Sequence, residues 1–207
     1  IKKYLKSPYS FYGISVPELR KIAKENKNLE RYDAYNLFDE LWSSGNHEEM
    51  SLALFLLSNI KAYDLETFKF LLSRIEKAKT WDHIDWLSSD ILGKILLNNI
   101  SLTTEIKEMA CSKNLWIRRA SIVATYQLIK KNKIELTLRL AEKLAYDDNI
   151  YVQKAAGWML REAGKRQRIA VREFLLLHLN MKPAAFSYAI EKMRDLREKR
   201  KQWEKQQ

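Results

Sequence analysis

The heptapeptides Trp116-Ile117-Arg118-Arg119-Ala120-Ser121-Ile122 and Tyr151-Val152-Gln153-Lys154-Ala155-Ala156-Gly157 align at an offset of 35 residues. The same step leads back to Trp81 and forward to Phe186. A unit this short cannot bury the apolar faces of its own helices, so successive units must stack and cover one another. A period near 35 to 45 residues with two helices per unit therefore predicts an all-α solenoid, with one aromatic marking each of four units. Five Gly and three Pro leave little material for the turns of an all-β protein. The whole of 1–207 reads as one unit, because 207 residues are too few for two ordinary domains.

Helix punctuation agrees with that architecture, which is of the HEAT-like or armadillo-like kind. Ser15-Val16-Pro17-Glu18 combines an N-cap hydroxyl, a proline in the first turn and a Glu three residues on, and predicts a helix to about Lys27. Asp64, Thr80 and Ser101 are further expected caps. Apolar residues recur at helical spacing, as in Phe68, Leu71, Leu72 and Ile75, or Leu87, Ile91 and Ile95. About ten or eleven helices and no strand are expected.

Composition narrows the partners. The formal net charge is +11, and residues 150–207 carry 14 Lys or Arg against 6 Asp or Glu, a surplus of 8 in little more than a quarter of the chain. A polyanion is the natural partner for such a surface, although the run Arg197 to Lys205 reads equally as a solvated basic helix. The single cysteine, Cys111, excludes an internal disulfide framework and suits a reducing compartment. Three scattered histidines offer no metal-ligand spacing, so neither a metal nor another cofactor is expected. Apolar runs such as Leu54 to Leu57 fall far below the roughly 18 residues a membrane span requires. The chain begins with Ile, from which a missing natural start is expected.

Two constellations could carry chemistry. Lys154, Trp158, Arg161 and Lys165 sit at i, i+4, i+7 and i+11 and share one helix face, with Val152, Ala155, Ala156, Met159 and Leu160 on the apolar side. An indole interrupting a basic stripe fits nucleic acid, since cations neutralise phosphates while the ring presses on sugar or base. The plainer alternative is a Trp covering the solenoid flank among solvated cations. In Thr80-Trp81-Asp82-His83-Ile84-Asp85-Trp86-Leu87, Trp81 and Asp85 face the same way, and Asp82 lies in the first turn, where the helix dipole favours a carboxylate. Asp85, beside Trp81 and Trp86 at the edge of a buried face, is either paired with an Arg or used for chemistry. Arg119, one unit later, is either that partner or a phosphate contact. Trp116, Tyr151 and Phe186 are better explained as packing between units.

The segments Tyr12-Gly13-Ile14-Ser15-Val16-Pro17-Glu18-Leu19-Arg20, Trp81 to Asp85, Trp116 to Ala120 and Gln153 to Glu162 resemble the AlkD family of DNA alkylation repair enzymes. His47-Glu48-Glu49-Met50 and Tyr188-Ala189-Ile190-Glu191-Lys192 support the match, which runs from about residue 4 to residue 196. The resemblance implies a right-handed superhelix of HEAT-like helix pairs, with a helix or two missing before residue 1. It implies monofunctional excision of N3- and N7-alkylated purines from duplex DNA without a base-flipping pocket. The family's catalytic carboxylate falls on Asp85, its cleft tryptophans on Trp81 and Trp158, and its phosphate-contacting arginine on Arg119. Arg118, Lys154, Arg161 and Lys165 are the remaining candidate DNA contacts. Met50 stands where an Arg is common, and Ala163-Gly164 replaces a Tyr-containing helix end. The resemblance further implies a monomer with no obligate protein partner, in a bacterial cytoplasm or nucleoid.

Two competing readings remain at the level of sequence. One is a non-catalytic module that binds damaged or branched DNA, with Asp85 merely paired to Arg119. The other is a scaffold for acidic proteins, which the Trp-plus-cation faces disfavour.

Overall fold

A computed structural model describes residues 2–207. Its thirteen helices, numbered in chain order, are α1 (Lys2–Leu5), α2 (Val16–Glu25), α3 (Arg31–Ser43), α4 (His47–Asn59), α5 (Leu65–Lys77), α6 (81–98), α7 (Thr103–Met109), α8 (115–130), α9 (Glu135–Leu144), α10 (Ile150–Gly164), α11 (Arg168–Leu177), α12 (183–192) and α13 (Leu196–Glu204). No strand occurs among the described residues, only an isolated bridge between Ser10 and Asn46. The count exceeds the expected ten or eleven because segments such as α1 and α7 are shorter than the roughly 11-residue window in which helical periodicity can be read.

Repetition is visible in the hydrogen bonds. Arg31 reaches Asp64, Asn59 reaches the Ala23 carbonyl, Arg74 reaches Asp39, Arg119 reaches Asp85 and Tyr146 reaches His178, at sequence separations of 32 to 36 residues. Each such bond ties one unit to the next, as a solenoid requires. Helices α4, α6, α8, α10 and α12 pack successively against one another and form the inner row. Between the rows lies one continuous core that runs from Tyr9 through Leu71, Ile91, Ile122 and Met159 to Leu196.

Local chemistry sets the start of several helices in both rows. The Glu18 carboxylate accepts from the Ser15 amide (2.9 Å) and hydroxyl (2.6 Å), and Asp64 accepts from the Thr67 amide (3.0 Å), both as the spacing predicts. Helix α8 is capped by Asn114, which accepts from the Trp116 amide at 2.8 Å, and α10 by Asn149, which accepts from the Tyr151 amide at 2.9 Å. These caps lie one 35-residue step apart and were not among those expected, although the same offset that aligns the heptapeptides aligns them. At Ser101 the chain instead makes a short 3-10 turn, and α7 begins at Thr103. Helix α6 starts after Thr80, whose hydroxyl serves His83 Nδ1 (3.1 Å) rather than the backbone.

His83 fixes α6 against α4. Its Nε2 faces the His47 carbonyl oxygen at 3.2 Å, which can only accept, so that nitrogen carries the proton and Nδ1 accepts from Thr80. The ring is therefore neutral and buried, and burial depresses its pKa from 6.5 to about 4. Between these values the unfolded chain binds a proton that the folded protein refuses. Stability is therefore full above pH 6.5 and falls as pH drops to 4, by about 3 kcal/mol at 1.36 kcal/mol per unit. Urea midpoints measured across that window should show the fall in the wild type and a flatter profile in His83→Gln. Parallel profiles would remove His83 from the acid response.

Candidate active-site groove

The inner row presents a groove of about 460 Å3, lined by Trp81 and Asp85 from α6, Arg119 from α8, Tyr151, Lys154, Trp158 and Arg161 from α10, Tyr188 from α12, Ile150, and Tyr4 and Lys6 from the N-terminal segment. Four successive units thus converge, and all three residues expected to be catalytic, Trp81, Asp85 and Trp158, line one surface.

On α10 the expected faces are observed: Val152, Ala155, Ala156, Met159 and Leu160 are buried, while Lys154, Trp158 and Arg161 are half-buried toward the groove. Gly157 is required beside Trp158, because a Cβ there would lie 2.6 Å from the Cβ of Tyr188 and collide with the Ala185 backbone. This close approach of α10 and α12 brings Tyr188 into the groove. Trp158 is backed by Tyr126, with ring centroids 6.2 Å apart, and Trp81 by Tyr4, edge-on at 5.6 Å. Trp116 and Tyr151 pack across the unit boundary at 5.4 Å, and Phe186 is buried, in keeping with a packing role.

Asp85 sits where α6 departs from regular geometry. The segment Leu87–Leu92 immediately after it is π-helical, a widening that recurs at functional sites. The carboxylate receives a bidentate fork from Arg119, Nε to Oδ1 and a terminal nitrogen to Oδ2, both at 2.8 Å, and the remaining terminal nitrogen donates to the Tyr151 carbonyl. The two side chains retain only 15% and 6% of their exposure. Desolvation pushes the Asp85 carboxyl above its usual value of 3.8, and the Arg119 charge opposes that rise without cancelling it.

The other expected contacts separate. Arg119 is the partner of Asp85, and three of its five N–H donors are engaged by Asp85 and the Tyr151 carbonyl, a geometry that suits a positioning residue. Arg118 is turned out of the groove: it forks onto Asp147 at 2.6 and 3.1 Å and donates to the Ser112 and Lys113 carbonyls. Lys165 pairs with Glu162 at 2.7 Å and does not line the groove. Arg161 lines it while bonded to Glu162 and Glu191. Lys154 lines it with no carboxylate partner among the described residues. Trp86 faces the opposite way, against Phe55 and the Arg20 guanidinium (4.9 and 5.0 Å), so Asp85 has one groove tryptophan on its own helix, not two.

Sequence reasoning missed Tyr4 and Lys6, which lie in a segment too short for periodicity. The non-glycine positive φ of Lys6 (51°) carries no sequence signal of its own. His47, Asp82 and His83 place ligating atoms within 4.8 Å of one another. The two imidazoles are stacked at 4.4 Å, which sets their in-plane lone pairs side by side rather than converging on one ion, and His47 Nε2 is bonded to Asp82 at 2.7 Å. The trio fits a structural hydrogen-bonded cluster better than a cation cage.

Residues 1–193 match the model of a family described as DNA alkylation repair enzyme. The chain belongs to the DNA alkylation repair enzyme family. Its fold is that of a protein from Enterococcus faecalis described as a predicted DNA alkylation repair enzyme (TM-score 0.82, 19% identity, 93% of this chain and 92% of that one). It is also that of AlkD2 from Streptococcus mutans (TM-score 0.69, 20% identity, 91% and 95%). An alignment 162 residues long, which covers 72% of this chain, is 27% identical to the DNA mismatch repair protein MutS of Clostridium tetani, of which it spans only 17%. As expected for this family, the protein is all-helical, and its DNA repair assignment agrees with the cationic groove.

Proposed function

We propose that this DNA alkylation repair protein hydrolyses the N-glycosidic bond of N3- or N7-alkylated purines in duplex DNA, with Asp85 as the catalytic carboxylate. The observation that carries the reading is Asp85 itself, a carboxylate desolvated in a basic groove, oriented by the Arg119 fork and lined up with Trp81 and Trp158.

The reaction asks little of the protein. An N3- or N7-alkylated purine is already cationic, so it departs as a neutral base and needs no general acid. As the C1′–N bond breaks, its electron pair leaves with the base and the deoxyribose acquires oxocarbenium character. Ionised Asp85 stabilises that charge and orients the water that adds to C1′, whose surplus proton passes to the carboxylate or to solvent. Trp81 and Trp158 offer π faces to the cationic sugar. The bidentate fork leaves lone pairs on each Asp85 oxygen, so pairing with Arg119 does not exhaust its capacity to act. Lys154, which has no carboxylate partner among the described residues, holds a backbone phosphate, and Arg161 contributes by exchanging its Glu162 partner, which Lys165 also holds, for a second one. Since the lining residues form an open groove, the lesion is held through its backbone rather than flipped into a snug pocket, and bulky adducts are tolerated.

The Asp85–Arg119 pair also favours a second reading, a binding module in which the carboxylate only anchors Arg119. Incubation of the wild-type protein with a duplex containing N7-methylguanine separates the two. Abasic sites and free 7-methylguanine are expected; tight binding with neither product would establish the module.

A further inference from the structure

The basic C-terminus is not uniformly solvated charge. From residue 194 onward the chain carries three carboxylates, and each is taken by a cation: Asp195 by Arg172 (2.6 Å), Glu198 by Lys201 (2.9 Å) and Glu204 by Arg200 (2.9 Å). Helix α13 is held in place, with Leu196 fully buried and the Arg200 guanidinium 4.7 Å from the Phe186 ring centre. Arg194 and Arg197 are exposed and have no carboxylate partner among the described residues. They converge with Ser187, Tyr188 and Glu191 on a hollow of about 440 Å3. Glu191 would repel an anion there, but its charge is committed to Arg161. Tyr188 lines both this hollow and the groove, and the Lys154 ammonium lies 5.8 Å from its ring centre, so cations continue from one to the other. Both arginines lie beyond the family match, which ends at residue 193.

We propose that Arg194 and Arg197 form a second phosphate-binding station, on which the backbone of duplex DNA rests after it leaves the groove past Tyr188. Two exposed guanidiniums beside the hydroxyl-bearing side chains of Ser187 and Tyr188 suit phosphate oxygens, which a guanidinium can hold through two parallel bonds. The inference rests on the proposed DNA substrate but not on base excision. Contacts to phosphate carry no sequence information, so the station adds affinity for damaged and undamaged duplex alike.

Affinity for an unmodified duplex, measured from low to moderate salt, tests it. The double variant Arg194→Ala/Arg197→Ala should lower the slope of log K against log[salt] by about 0.9 per lost contact, about 1.8 in all. Arg194→Lys/Arg197→Lys should keep the wild-type slope. With a duplex cut back on the flank that reaches the station, wild type and alanine variant should bind equally. An unchanged slope in the alanine variant, or an equal loss on the full-length and the truncated duplex, would overturn the station. Wild-type protein that binds with the expected slope yet releases no 7-methylguanine would sink the glycosylase reading and leave the station standing. Excision with a slope indifferent to both arginines would do the reverse.

Discussion

Asp85→Asn loses excision of N7-methylguanine by about 10²–10³-fold while its affinity for the same duplex is unchanged or slightly higher. The two halves of this expectation have different origins. Replacing the carboxylate by an amide removes the only negative charge among the described residues that line the groove, and groups that meet developing charge in a dehydrated site are commonly worth about 3–4 kcal/mol of barrier. The same change makes the groove more positive, which helps it to hold phosphates. The Asn oxygen can still accept from Arg119, so the fork keeps one of its bonds and the fold should survive, as a thermal melt will verify. Abasic-site yield under single-turnover conditions reads the first half, and fluorescence anisotropy the second. Equal yields from both proteins would take Asp85 out of the mechanism.

Arg119→Met should fail in a different manner. The substitution leaves a desolvated carboxylate without its counter-charge, a loss that costs about 3–5 kcal/mol of stability near neutrality. Desolvation already raises the Asp85 pKa, and with the opposing charge gone it rises further. The sign is fixed: the unfolded carboxyl ionises at its ordinary value, so the penalty grows as the pH rises above it, is full only where Asp85 is ionised in the folded state too, and shrinks as acid protonates the folded carboxyl. Excision depends on the ionised form, so the acid limb of the rate profile should move to higher pH. Activity lost at neutrality should then return in part as the pH is raised. A phosphate ligand would behave otherwise, giving a loss independent of pH and a salt slope smaller by about 0.9. That outcome would restore Arg119 to the DNA surface and leave Asp85 without its positioning partner.

The contrast between Arg118 and Arg119 illustrates where sequence reading stops. The 35-residue offset, the caps at Ser15 and Asp64, and the polarity of α10 were legible because each depends on spacing along one helix. Trp81, Asp85, Trp158, Lys154 and Arg161 were legible for the same reason, with the family resemblance supplying their roles. Which of two adjacent arginines enters the groove depends on partners about 30 residues away, Asp147 for one and Asp85 for the other, and no local pattern reports that. Trp86 misleads likewise, since one residue of rotation beyond Asp85 sends it to the far side of α6. Gly157 shows a third kind of limit. Its smallness is plain in the sequence, but the need for it arises from the Ala185 backbone of another helix.

The bonds that join units one repeat apart bear on mechanics. Asp85 and Arg119 lie across a single unit boundary and are clamped by a two-pronged fork, so their spacing is stiff. The same guanidinium also donates to the Tyr151 carbonyl on α10, so it spans both boundaries that separate Trp81 from Trp158. One side chain is thus the hub that fixes the carboxylate and the two helices carrying the indoles, and a change there alters all three placements together.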